Sequence, residues 1–210
     1  MKSIIAGLAL TALGCSAFTV KANTSNIGWK QAAKSDINWN YVGAGYAKAT
    51  IKNIGPDDID LDGYQLNARY LLSDNLYLHA SYYDVSGDVG VADIELEASE
   101  LVVGLGLRQA VAKNIDSFIE AGYVRSEMEV VSFEKRTFNG FQASAGFRYL
   151  VIQDLELSAA LRYNDSSGSD SSTFGDISAR YRVTPMIDLY INYQFDSDAS
   201  LLGTGIALNF

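Results

Sequence analysis

Period-two alternation of apolar and polar residues from Ile37 onward, tight turns that alternate with longer acidic loops, and a closing amphipathic strand ending on Phe210 together predict an all-β protein. The fold class is a single antiparallel up-and-down transmembrane β-barrel of ten strands, with eight as the alternative count. In Leu189 to Phe195, Leu, Ile, Tyr and Phe share one face and Tyr, Asn and Gln the other; Leu155 to Tyr163 and Tyr64 to Tyr70 alternate in the same way. Helical spacing is absent, and past the N-terminus no run approaches the roughly 18 apolar residues of a membrane helix. A bilayer can be crossed by strands only in a closed barrel, because every backbone N–H and C=O needs a partner in lipid.

The elements follow in order. Lys2, an apolar run from Ile4 to Leu13, and Val20-Lys21-Ala22 fit an export signal cleaved before Asn23. Residues 1–22 are therefore read as a signal peptide, 23–36 as an N-terminal periplasmic tail and 37–210 as the barrel. A lipoprotein reading takes Ala12-Leu13-Gly14-Cys15 as a lipobox, with Ala12 where Leu is usual. Cys15 is the only cysteine, so a chain cleaved before Asn23 has no disulfide and no thiolate metal site. Strands are expected at 37–52, 61–72, 76–86, 97–110, 117–130, 137–150, 155–165, 173–184, 188–196 and 201–210; merging the last two with their neighbours gives eight.

Ser73-Asp74-Asn75, Ala112-Lys113-Asn114, Gln153-Asp154 and Thr184-Pro185-Met186 are tight turns, and the connections between them are mostly longer and richer in Asp, Glu, Ser and Gly. Such asymmetry matches the periplasmic and extracellular rims of an outer-membrane barrel. Each tight turn is followed by a strand with a tyrosine at its far end (Tyr82, Tyr123, Tyr163, Tyr193), the expected aromatic girdle of the outer interface. A solenoid or propeller could repeat at this period but would lack the turn asymmetry. Loss of Lys2 and Lys21 with the signal takes the net charge from −9 to −11. That balance argues against nucleic acid, which requires clustered Lys and Arg.

Asn40-Tyr41-Val42-Gly43-Ala44-Gly45-Tyr46, Asp62-Gly63-Tyr64, Ala121-Gly122-Tyr123, Ala143 to Arg148 and the closing Gly203 to Phe210 succeed one another in a familiar order. In this the chain resembles the small proteobacterial outer-membrane β-barrel, or "porin family", proteins, in particular the group sometimes labelled a sulfation-dependent quorum factor. The resemblance covers most of the mature chain and implies a fold and a location in the cell outer membrane rather than an activity. It also implies that the strand ending at Phe210 is read by the outer-membrane assembly machinery.

If apolar positions face lipid, the opposite face carries charge into the lumen: Arg69, Arg108, Arg148, Arg180 and Arg182 on descending strands, Glu120, Glu156 and Arg162 on ascending ones. Arg69, Arg108, Arg148 and Arg182 lie a few residues before tight turns, so they should form a belt near the periplasmic mouth facing Glu120 and Glu156. Unpaired burial would be costly, which predicts a salt-bridged plug; an anion-favouring constriction is the alternative. His79 and Ser81 share one strand face, as in outer-membrane lipid hydrolases, but the face is the lumen and no third residue is evident. Asp58, Asp60 and Asp62 open like a calcium-binding loop, yet Arg69 occupies the position of the closing glutamate, leaving a loose cation site on an external loop beside lipopolysaccharide. No pattern calls for a cofactor. The expected role is a non-enzymatic one in envelope structure or surface interaction, with outer-membrane lipid and lipopolysaccharide as partners; a narrow small-solute channel and a lipid hydrolase are the alternatives.

Overall fold

Each of the ten strands places Leu, Val, Ile and aromatic residues on alternate positions, and those side chains point outward. The computed structural model describes residues 35–52, 58–88, 95–130, 135–168 and 170–210. The export signal and all of the tail but Ser35 and Asp36 lie outside the described residues. The strands are β1 (Tyr41–Ile51), β2 (Ile59–Leu71), β3 (Leu76–Asp88), β4 (Glu95–Ala112), β5 (Ile115–Val130), β6 (Lys135–Ile152), β7 (Leu155–Ser166), β8 (Ser172–Thr184), β9 (Ile187–Phe195) and β10 (Ala199–Asn209). Every strand pairs antiparallel with its sequence neighbours, and β1 closes on β10 from Tyr41 opposite Asn209 to Ile51 opposite Ala199. Closure leaves no edge strand unpaired, so ten strands are required and the eight-strand count is excluded.

The outer surface is what a lipid-facing belt requires. Val42, Leu66, Leu105, Leu107, Ile119, Phe147, Leu161, Ile191 and Ile206 are all exposed. In water so continuous an apolar band would drive aggregation; in hydrocarbon it is the stable arrangement. Spans of about 9–11 residues suffice for the bilayer. The 9-residue β9 only just meets that need, whereas β4 and β6, at 18 residues each, rise well beyond the tyrosine level on the long-loop side. The tight turns after β4, β6 and β8 each carry a register shift, at Ala110/Ala112, Leu150/Ile152 and Arg182/Thr184. Such bulges add local twist at a barrel rim.

Strand ends agree with the sequence pattern to within two residues except at the start. β1 begins at Tyr41, not at Ile37. Ile37 and Trp39 are apolar at alternating positions and so mimic strand, but they are buried inside the barrel mouth, where stacking and hydrogen bonds outweigh further ladder pairing.

Candidate functional site

The lumen is where side-chain chemistry concentrates, and strand parity decides what enters it. At the tight-turn end, the segment before β1 folds into the mouth. The fully buried Trp39 ring lies 4.5 Å from Tyr77 and 5.9 Å from Phe118. Arg148, Arg69 and Arg108 approach the same ring at 4.3, 5.2 and 5.8 Å, so three cations lie within reach of its π-system. The indole N–H donates to Asp116 Oδ2 at 2.7 Å, and the Asn38 carbonyl accepts from Arg148 Nη2 at 2.9 Å. Asn38 Nδ2 also donates to Asn209 Oδ1 at 3.0 Å, and Asn40 Oδ1 accepts from the Leu71 N–H at 2.7 Å. These bonds tie the segment to both sides of the barrel seam. Tyr77 fits because Gly106 lies beneath it; a Cβ there would run into the phenol ring.

The predicted charges are all found on the inner wall, but their partners differ from expectation. Arg69 pairs with Glu120 at 2.7 Å, and Glu120 also accepts from Tyr77 (2.9 Å) and Ser144 (2.7 Å). Arg148 grips Glu156 through Nε at 2.7 Å and Nη2 at 2.9 Å. Arg108, however, turns to Asp116 at 3.2 Å, and Arg180 and Arg182 meet Asp188 at 2.9 and 3.7 Å. Arg162, farther up, bonds Asp176 at 2.8 Å. Sequence reasoning missed Asp116 and Asp188 because each stands two residues after a tight turn, where an aspartate reads as part of the turn. Their inward parity, shared with Glu120 on β5 and Tyr190 on β9, was the available signal.

His79 and Ser81 both face the lumen. Among the described residues no hydrogen bond links His79 to Ser81 or to a carboxylate, and the imidazole is buried beside Gly104. The loose cation site fares differently from its expected form. Asp60 and Asp62 belong to β2 rather than to a loop, because pairing with β1 continues to Ile51 and Ile59. Asp60 is held by Lys48 Nζ (2.8 Å) and the Thr50 hydroxyl (2.7 Å), Asp62 accepts from the Tyr46 hydroxyl, and Asp58 is exposed just before the strand. Among the described residues no group of three or more His, Cys, Asp or Glu is placed to hold a metal ion.

At the long-loop end the inner wall changes character. Ala47, Ile59, Leu61, Val85, Leu96 and Leu201 pack together as an apolar cluster. Between this cluster and the Trp39 floor lies a cavity of about 160 Å³, lined by Tyr41, Gln65, Tyr83, Glu100, Arg162 and Asn192 among others.

The chain matches no protein-family model and no curated protein. Its fold is similar to that of the NanC porin, with a TM-score of 0.51 at 11% identity, covering 81% of this chain and 100% of that one. It is also similar to Ail, the attachment invasion locus protein of Yersinia pestis, solved with the heparin analogue sucrose octasulfate: TM-score 0.46, 15% identity, 80% and 97% covered. A third likeness is to OprG from Pseudomonas aeruginosa, with a TM-score of 0.45, 11% identity, and 84% and 98% covered. The closed ladder and apolar belt, a fold shared with the NanC porin, define a bacterial outer-membrane β-barrel. The outer membrane is where such a barrel resides.

Proposed function

We propose that this protein is a non-enzymatic outer-membrane barrel whose lumen is shut at the periplasmic floor, and that it serves envelope structure or surface interaction rather than bulk passage of solutes. The observation that carries the reading is Trp39, fully buried inside the mouth and fixed by Asp116, Tyr77, Phe118 and Arg148. A side chain so anchored blocks the path where the arginines converge. On the outer wall, Tyr46, Tyr64 and Tyr82 bond Asp62 and Asp84 at the level of the lipopolysaccharide head groups, which supports outer-leaflet lipid and lipopolysaccharide as partners. The exposed Phe210, stacked 6.2 Å from Tyr70, supports recognition of the last strand by the assembly machinery. The resemblance to the group labelled sulfation-dependent quorum factor carries no part of this reading, since it implies a fold and a location rather than an activity.

Planar-bilayer recording tests the reading. The unmodified protein should give no stepwise conductance, and Trp39→Ala should produce small openings. Large steps in the unmodified protein, unchanged by Trp39→Ala or by Arg108→Ser with Arg148→Ser, would overturn it. A narrow small-solute channel is the second reading, favoured by the polar cavity above the floor. The His79/Ser81 hydrolase is tested by fatty-acid release from lipopolysaccharide; none is expected, because the pair faces the lumen and lacks an orienting carboxylate.

A further inference from the structure

Closure is complete through the membrane, but above it the strands end at different heights. The ladder between β6 and β7 stops at Gly140 opposite Ser166, with one further bond from the Ser167 N–H to the Asn139 carbonyl. On its other side β6 stays paired with β5 up to Lys135 opposite Glu129. In an antiparallel strand the N–H and C=O of one residue point to the same side, and the side alternates along the chain. The Leu150 N–H turns to the β5 side, at Asn114, and the Asn139 carbonyl to the β7 side, so odd residues of β6 face away from β5. Lys135 and Thr137 therefore present two N–H and two C=O groups along roughly 13 Å of strand. Among the described residues no backbone group pairs with them on that side.

The two faces of this edge differ. Phe138 points to the lumen side, and its diagonal neighbour Met128 on β5, also inward, is 41% exposed. On the outward face of β4 to β6 above the tyrosine level, Glu95, Glu97, Glu127 and Glu129 outnumber Arg125 and Lys135. Glu97 stands directly opposite Glu129, a like-charge pair that destabilises a sheet unless a cation lies near. A strand added beside β6 would run roughly 10 Å from β5, about one Debye length at roughly 0.1 M salt, so the carboxylates would favour cations on it.

We propose that the free edge of β6 at Lys135 to Phe138 takes an extended segment of an extracellular partner protein as an added strand, with Lys or Arg side chains outward and apolar ones inward against Phe138 and Met128. A second copy of this chain does not fit. Two barrels upright in one membrane are related by an axis along its normal, which sets their β6 strands parallel and Lys135 against Lys135. The inference deepens, and rests on, the surface-interaction part of the proposed role; the state of the Trp39 floor does not enter it.

Fluorescence anisotropy of a short labelled peptide alternating lysine and valine, titrated with the full-length mature protein refolded in detergent, tests it. The same peptide with glutamate in place of lysine is the comparison. Saturable binding of the lysine peptide, about tenfold or more tighter than the glutamate peptide, is expected. Thr137→Pro removes an N–H that the β5 ladder does not use and leaves every charge in place. The barrel should still fold, as its change in gel mobility on boiling reports, while lysine-peptide binding falls about tenfold or more. Glu97→Gln together with Glu129→Gln should weaken the lysine peptide alone. Lys48→Ala, on β1, should bind as the unmodified protein does. Absence of binding by either peptide, preference for the glutamate peptide, or equal lysine-peptide affinity in the unmodified protein and folded Thr137→Pro would overturn the inference; so would unchanged affinity in the Glu97 and Glu129 double variant. Bilayer recording reports on the floor alone: a conducting barrel that binds the lysine peptide at β6 loses the plug and keeps the edge, and a silent barrel that binds neither peptide keeps the plug and loses the edge.

Discussion

At the floor of the lumen Trp39 is held by a hydrogen bond to Asp116, ring contacts with Tyr77 and Phe118, and three arginines; at the opposite end Leu61, Val85, Leu96 and Leu201 form an apolar cluster. Strands β2, β3 and β4 contribute inward positions to both sets, so parity alone does not decide what they do. The floor depends on directional contacts that fail when one partner is lost. The upper cluster depends on contact area and should fail in proportion to the volume removed. One barrel is thus sealed by two kinds of interaction, and each predicts its own response to mutation.

The largest effect should come from Glu156→Ala, which leaves Arg148 buried without the partner of its two-point grip. Urea unfolding in detergent should show a loss of about 3–5 kcal/mol, and Arg148→Ala together with Glu156→Ala should lose less than the sum of the single changes. Simple additivity would show that the floor is not a coupled network. Trp39→Ala should also cost about 3–5 kcal/mol in the same assay, by cavity formation and a lost indole bond, while opening the conducting path. Leu61→Ala should cost about 2–4 kcal/mol yet leave the barrel electrically silent, since the floor remains shut. Conductance from Leu61→Ala would move the seal to the upper cluster and break the comparison. Smallest of all, Lys48→Ala on the outer wall, where the pair with Asp60 is exposed, should change stability by less than about 1 kcal/mol.

Legibility differed along the chain for physical reasons. Strands β2 to β10 were readable because lipid on one side and lumen on the other impose strict alternation. The start of β1 was not, because Ile37 and Trp39 alternate like strand residues while being drawn inward by aromatic and cationic partners on β3, β5 and β6. The lumen arginines were readable by parity. Their assignment to Glu120 and Glu156 alone was incomplete, since Asp116, Asp176 and Asp188 take Arg108, Arg162, Arg180 and Arg182.

By itself the sequence determined that the chain forms a closed membrane barrel and which face of each strand meets lipid, while the closed ladder decided for ten strands over eight. Those properties follow from local periodicity and turn chemistry, which act between near neighbours in the chain. Only the tertiary structure decided that Trp39 stops the mouth and that Asp188 is shared between two arginines. It also decided that β6 outruns β7 at the top of the barrel. Partnership inside a barrel depends on the shear that sets strands of distant sequence side by side, and on which side chains meet across the lumen. Neither leaves a mark in local periodicity.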